Sequence, residues 1–169
     1  MIPDVSVDQR FLLQRLSPDD GRHQVAVDLL IGGPRSASHV LGWVEAGQVY
    51  LLHDPASPAC AGAAATVLTL PVGSGATAEL RLLEIASHWR HSDVGLRLLM
   101  ELADALRSQG VRREVAGVGN AELDRIELLT RAGFRVAYVE RDGCSPERGW
   151  VPAGAGVPNR DVLWFEMDL

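Results

Sequence analysis

Glu79 and Glu84 stand five residues apart in Thr77–Ala86 (TAELRLLEIA), a run whose other residues are mostly small or apolar. If the face carrying Glu84 is buried, its pKa rises and the carboxylate becomes a base or an anchor for an amine. If that face opens to a cleft or to solvent, Glu84 is an ordinary carboxylate. The segment that follows, Arg90-His91-Ser92-Asp93-Val94-Gly95, leads into a strongly periodic helix. The N–H groups of such a connection, with the positive end of the helix, make a cradle for phosphate. Arg90 stands where a guanidinium would pair with that phosphate. Further on, Gly119-Asn120 precedes a second helix, which Asn120 is suited to cap.

What the chain lacks bounds the rest of its chemistry. All 16 basic residues are Arg. A lysine Schiff base, a P-loop lysine and a lysine general base are therefore excluded. Anions must be met by Arg, by backbone N–H groups or by a helix N-terminus. His88 and His91 are three apart but have no third ligand nearby, so they read as two exposed histidines and no metal is expected. Cys60 and Cys144 form no C-x-x-C pair and read as reduced thiols.

The elements that must position these groups follow from pattern. Arg10–Leu16 reads as a strand. Ser17-Pro18-Asp19-Asp20 reads as a helix start, with Ser17 as N-cap, and that helix runs toward Leu30. A short second helix, capped by Ser36 or Ser38, runs through Val44. Gln48–His53 and Cys60–Val72 read as strands, and Gly73-Ser74-Gly75 turns the chain into Thr77–Ala86. Strict alternation there puts Glu79, Arg81, Leu83 and Ile85 on one face and Leu80, Leu82, Glu84 and Ala86 on the other. Val94–Ser108 repeats Leu at helical spacing and ends at Gly110. Glu114–Gly117, Phe134–Glu140 and Arg160–Met167 complete the strands. Ala121–Arg131 is the last helix, with Gly133 past its end as a positive-φ cap. The pattern is one mixed α/β domain over residues 1–169.

The order and spacing of these segments resemble the GNAT superfamily of acyl-CoA-dependent N-acetyltransferases. The carriers are AELRLLEIA, the loop RHSDVG followed by Leu98-Leu99, GVGNAELDRIELLTRAGFRV, and the terminal GVPNRDVLWFEMDL. The resemblance covers roughly residues 77 to 169, and the first half by element order. It implies a mixed, mostly antiparallel sheet flanked by helices and splayed between the fourth and fifth strands. It further implies transfer of an acetyl group from acetyl-CoA to an amine of a small molecule. The cofactor's arm would pair with backbone near Leu83 and Ile85. Its pyrophosphate would rest on His91, Ser92, Asp93, Val94 and Gly95, helped by Arg90. Asn120 would contact the arm, and Glu79 would be the general base. A homodimer is a further implication.

Three residues depart from the family pattern. Asp93 and His91 stand where the loop has glycines, so a carboxylate and added bulk sit at a close phosphate approach. Asp93 would also compete as a helix cap for the same N–H groups. Leu129 stands where the family's general-acid tyrosine falls, leaving Tyr138 on the next strand as a replacement acid or as a strand aromatic. Trp89 reads as packing, and Arg160-Asp161 as a structural ion pair. Two alternatives follow: a GNAT-fold binding or regulatory module with weakened CoA binding, and an acyltransferase using another donor.

Composition narrows the partners. The formal net charge is −6, and the pI near 5.3 disfavours a nucleic-acid face. MIPDVSVDQR has no signal-peptide pattern, and no apolar run reaches a membrane span. With reduced cysteines, this leads to an expectation of a cytoplasmic protein without membrane or nucleic-acid partners.

Overall fold

The computed structural model describes residues 11–57, 61–72, 75–151 and 156–169. Cys60 and the turn residues Gly73 and Ser74 lie outside them. Seven strands and four helices follow in the order β1 (Leu12–Leu16), α1 (His23–Ile31), α2 (Ala37–Ala46), β2 (Gln48–His53), β3 (Ala61–Val72), β4 (Gly75–Ile85), α3 (Val94–Ser108), β5 (Val111–Gly119), α4 (Leu123–Arg131), β6 (Arg135–Glu140) and β7 (Val162–Asp168). The strands form one sheet in the order β1-β2-β3-β4-β5-β7-β6. Every pairing is antiparallel except β4 with β5. The α/β class and the mostly antiparallel sheet are as expected.

Each face of the sheet carries its own core. Leu82, Val49 and Leu51 pack against Ala26 and Leu30 of α1 and Val40 of α2. On the opposite face Leu80, Leu83 and Ala116 pack with the leucine stripe of α3 (Leu98, Leu99, Leu102, Leu106) and with Leu129 of α4. α3 begins and ends where its periodicity predicts. α1 starts later than predicted: Ser17–Asp20 closes a turn, with Asp20 N–H donating to the Ser17 carbonyl at 3.0 Å. Asp20 then accepts from the Arg22 N–H at 2.8 Å, and Arg22 is the N-cap. Ser36 does occupy the N-cap of α2, but its hydroxyl bonds His39 Nδ1 at 2.7 Å. Gly133, at φ +101°, follows α4 as expected.

Two irregularities in β4 make the site. First, the register with β3 shifts between Thr66 and Val67, which pair with Leu82 and Leu80, so Arg81 is an extra residue. Such a bulge reverses the alternation beyond it. Leu80 and Leu83 consequently share the α3/α4 face, and the alternation read from sequence is corrected: Glu79 and Glu84 lie on the same face, toward α1 and α2. Second, β4 and β5 pair only as far as Leu80 with Ala116. Beyond that point the strands splay, and the outer backbone groups of β4 have no neighbouring strand.

Candidate active site

A cleft of about 960 Å³ runs beside α4 from the start of α3 to the α1–α2 connection, lined by Leu83, Glu84 and Ile85 of β4, by Arg90–Asp93, by Ala121–Arg125, Glu127, Leu128 and Arg131, and by Gly32–Pro34. Four expected ligand positions (Arg90, His91, Ser92 and Asp93) therefore converge on it together with Leu83 and Ile85. Val94 and Gly95 are buried behind this lining. A Cβ on Gly95 would stand 2.4 Å from Ile85 Cδ1, so this glycine lets the start of α3 press against β4. The first-turn N–H groups of an α-helix such as α3 have no carbonyl partner within the helix.

Asp93 behaves differently from its sequence reading. It is the N-cap residue of α3 but makes no side-chain cap; Ser92 Oγ takes the Val94 N–H at 3.3 Å. The Asp93 carboxylate instead accepts from Arg131 Nη2 at 2.7 Å. One first-turn donor is thus met by Ser92, and the added negative charge of Asp93 is met by a guanidinium from the last turn of α4. Arg90 and Arg131 then both border the cleft, whose lining sets Arg90, Arg125 and Arg131 against the carboxylates Glu84, Asp93, Glu122, Asp124 and Glu127. Sequence reasoning missed Arg131, because nothing short of the α3–α4 packing brings it to residue 93.

Asn120 does not line the cleft, which corrects its expected place beside the arm. Its amide oxygen accepts from the N–H groups of Arg160 (2.8 Å) and Asp161 (3.0 Å), and its nitrogen donates to the Pro158 carbonyl at 3.3 Å. Nor does it cap α4, whose N-cap is Glu122. Asn120 clamps the segment entering β7. The expected Arg160-Asp161 ion pair is also corrected: Asp161 Oδ1 accepts from the backbone N–H of Asp142 at 2.9 Å.

On the α1/α2 side is a smaller pocket of about 230 Å³, with Glu79, Arg81, His39 and the indoles of Trp43, Trp150 and Trp164 in its wall. Glu79 pairs with Arg81 at 2.9 Å. Burial pushes its carboxyl above the usual carboxylate range, and Arg81 and Arg148 pull it partly back. His39 bridges Ser36 and the Glu147 carbonyl (3.1 Å), so it straps α2 to the loop before β7. Arg35 lies over the Trp150 ring, 3.0 Å from its centroid, and reaches Glu122. Tyr138 corrects the expectation of an acid here: it is 57% exposed, stacks on Trp164 at 6.0 Å, and lines neither cavity. Leu129 is buried, and its aliphatic side chain has no proton to give.

A third, small cavity of about 30 Å³ lies at the splay, lined by Leu80–Glu84 and Ala116–Val118; it shares Arg81 and Gly117 with the small pocket and Leu83, Glu84 and Arg125 with the cleft. Glu84, 7% exposed, sits at its edge with its carboxylate against Gly33, where a Cβ would meet it at 2.0 Å. Burial raises the Glu84 pKa; the charge and hydrogen bond of Arg125 oppose that. Arg125 bonds Glu84, donates to the Leu83 carbonyl at 2.6 Å and pairs with Glu122 at 3.0 Å.

No family model matches the sequence, and no curated protein matches it. Solved structures do match over nearly the whole chain. An IAA acetyltransferase from Bacillus cereus superposes with a TM-score of 0.78 at 19% identity, over 94% of this chain and 99% of that one. A GNAT family acetyltransferase from Elizabethkingia anophelis with acetyl-CoA bound gives 0.79 at 17% identity, over 95% and 99%. A Bacillus subtilis acetyltransferase in complex with CoA gives 0.78 at 17%, over 94% and 99%. The chain therefore has the GNAT acetyltransferase fold.

Proposed function

We propose that this chain transfers an acetyl group from acetyl-CoA to an amine of a small molecule. The observation that best supports this reading is the arrangement of cavities at the splay. A cleft bordered by Arg90 and Arg131, a pocket holding the Glu79 carboxylate, and a small cavity that shares lining with both lie together there. Among structures of the same fold, one holds CoA and another acetyl-CoA, which supports the reading.

The residues fit the donor at its anionic end. The first turn of α3, with Arg90 and Arg131 beside it, suits a pyrophosphate. When bound, acetyl-CoA supplies an activated thioester. The backbone of Leu83 and Ile85 borders the cleft where an amide-bearing arm would lie. Glu79 takes the amine proton: its raised pKa brings it toward the operating pH, while Arg81 helps keep it ionised. Glu84 is committed to Arg125 and holds charge in place instead of moving a proton. The three indoles and the pocket's small volume suit a compact amine with an apolar body.

The specific observation favouring the second reading, a binding module without acyl transfer, is the Arg125 bond on the Leu83 carbonyl together with Leu129. Calorimetric titration with acetyl-CoA separates the two. The expected dissociation constant is tens of micromolar or tighter, about −6 kcal/mol. Glu79→Gln should leave it unchanged while lowering turnover about 100-fold. No binding heat at millimolar acetyl-CoA would favour the module.

A further inference from the structure

The ion chain Arg35–Glu122–Arg125–Glu84 crosses from the small pocket to the large cleft along the rim of the splay. Its central member does more than balance charge. Arg125 Nη1 donates to the carbonyl of Leu83, while Nη2 of the same guanidinium holds Glu84. Leu83 lies past the last β4–β5 pair, so its outward carbonyl is an acceptor that the sheet leaves open. Residues two apart on a strand present their backbone groups to the same side, so Leu83 and Ile85 form one edge. A ligand that extends along this edge must first displace Arg125.

We propose that Arg125, anchored by Glu84 and Glu122, is a bolt across the cleft: it occupies the β4 edge in the unliganded protein and must swing away for an amide-bearing arm to pair there. The inference rests on the acyl-CoA reading above. The geometry supplies both anchors. Glu84 is fixed because Gly33 lets its carboxylate sit against the α1–α2 connection. Glu122 is held from its other side by Arg35 at 3.5 Å, and Arg35 is itself stacked on Trp150. The phosphate end of the cleft has separate cations, Arg90 and Arg131, so the bolt obstructs the arm and leaves the anion cradle free.

For Arg125→Leu the bolt and simple electrostatics make opposite predictions; for Glu84→Gln, which removes an anion, the uncharged pantetheine separates them, since electrostatics alone would leave its affinity unchanged. Removing a cation from the cleft should weaken a polyanionic ligand; removing a bolt should strengthen one that has an arm. The test is calorimetric titration of the wild type, Arg125→Leu and Glu84→Gln with three probes. These are CoA, pantetheine (arm without nucleotide) and adenosine 3′,5′-bisphosphate (nucleotide without arm). Circular dichroism and melting curves check that each variant is folded, and Glu84→Gln keeps the shape of the site if Arg125→Leu does not fold. Both variants are expected to bind CoA and pantetheine about ten-fold tighter, with the bisphosphate unchanged or weaker. Binding of CoA that appears only in the variants supports the bolt equally. If the wild type binds CoA and the folded variants bind it no better, the bolt is overturned and the acyl-CoA reading stands. If no probe binds any folded protein, the acyl-CoA reading falls and the bolt falls with it.

Discussion

Asp93 is the residue at which the sequence sets a negative charge beside the expected pyrophosphate, and Arg131 is the residue that answers it. Their pair is partly exposed, so its worth lies in steering charge more than in stability. If Arg131 serves both Asp93 and a phosphate, Asp93→Asn should release it and tighten CoA binding several-fold, whereas Arg131→Ala should weaken it about ten-fold. Titration at two salt concentrations checks this, since both effects should shrink as ionic strength rises. That the loop and β4 positions would lie together can be read from the sequence because they follow one another along the chain, and they do line one cleft. Arg131, Arg125 and Arg35 cannot be placed in that way, because each reaches the site from a different element and carries no local signature. Asn120 was misread for a related reason: an Asn before a helix looks like a cap or a ligand group, while its real partners, residues 158–161, lie some forty positions away.

At the scale of elements, the helical stripe of α3, the edges of β2 and the Gly133 stop could be read because periodicity and turn chemistry are local. The β4 bulge could not. One extra residue at Arg81 leaves composition unchanged but carries Glu79 and Glu84 to the same face. Gly95 is the contact on which the start of α3 depends, with Ile85 and Leu128 packed where a side chain would be. Gly95→Ala should therefore cost about 1–3 kcal/mol as α3 is pushed off β4. Both the melting temperature and the affinity for CoA should fall, because the cradle and the packing contact are the same turn of helix.

Over the whole molecule, an acidic, lysine-free chain places one carboxylate deep in the core. Glu114, on β5, is fully buried, and neither of its carboxylate oxygens has a hydrogen-bond partner among the described residues. Burial raises its pKa to about 8. The folded state therefore holds this proton more tightly than the unfolded chain. The corresponding stability is complete below the ordinary Glu range near pH 4.5 and is lost as pH rises through about 8. Glu114→Gln, which cannot ionise, should melt close to the wild type at pH 5 and clearly above it at pH 9. Equal melting at pH 9 would contradict the buried, unpaired carboxyl. The central claim concerns the splay itself, and a crystal structure of the protein with CoA tests it most directly. The account predicts the pyrophosphate on the first turn of α3 between Arg90 and Arg131, the arm on the Leu83–Ile85 edge, and the thiol at the small cavity of the splay facing Glu79. CoA bound elsewhere, or an arm that leaves Arg125 on the Leu83 carbonyl, would contradict it.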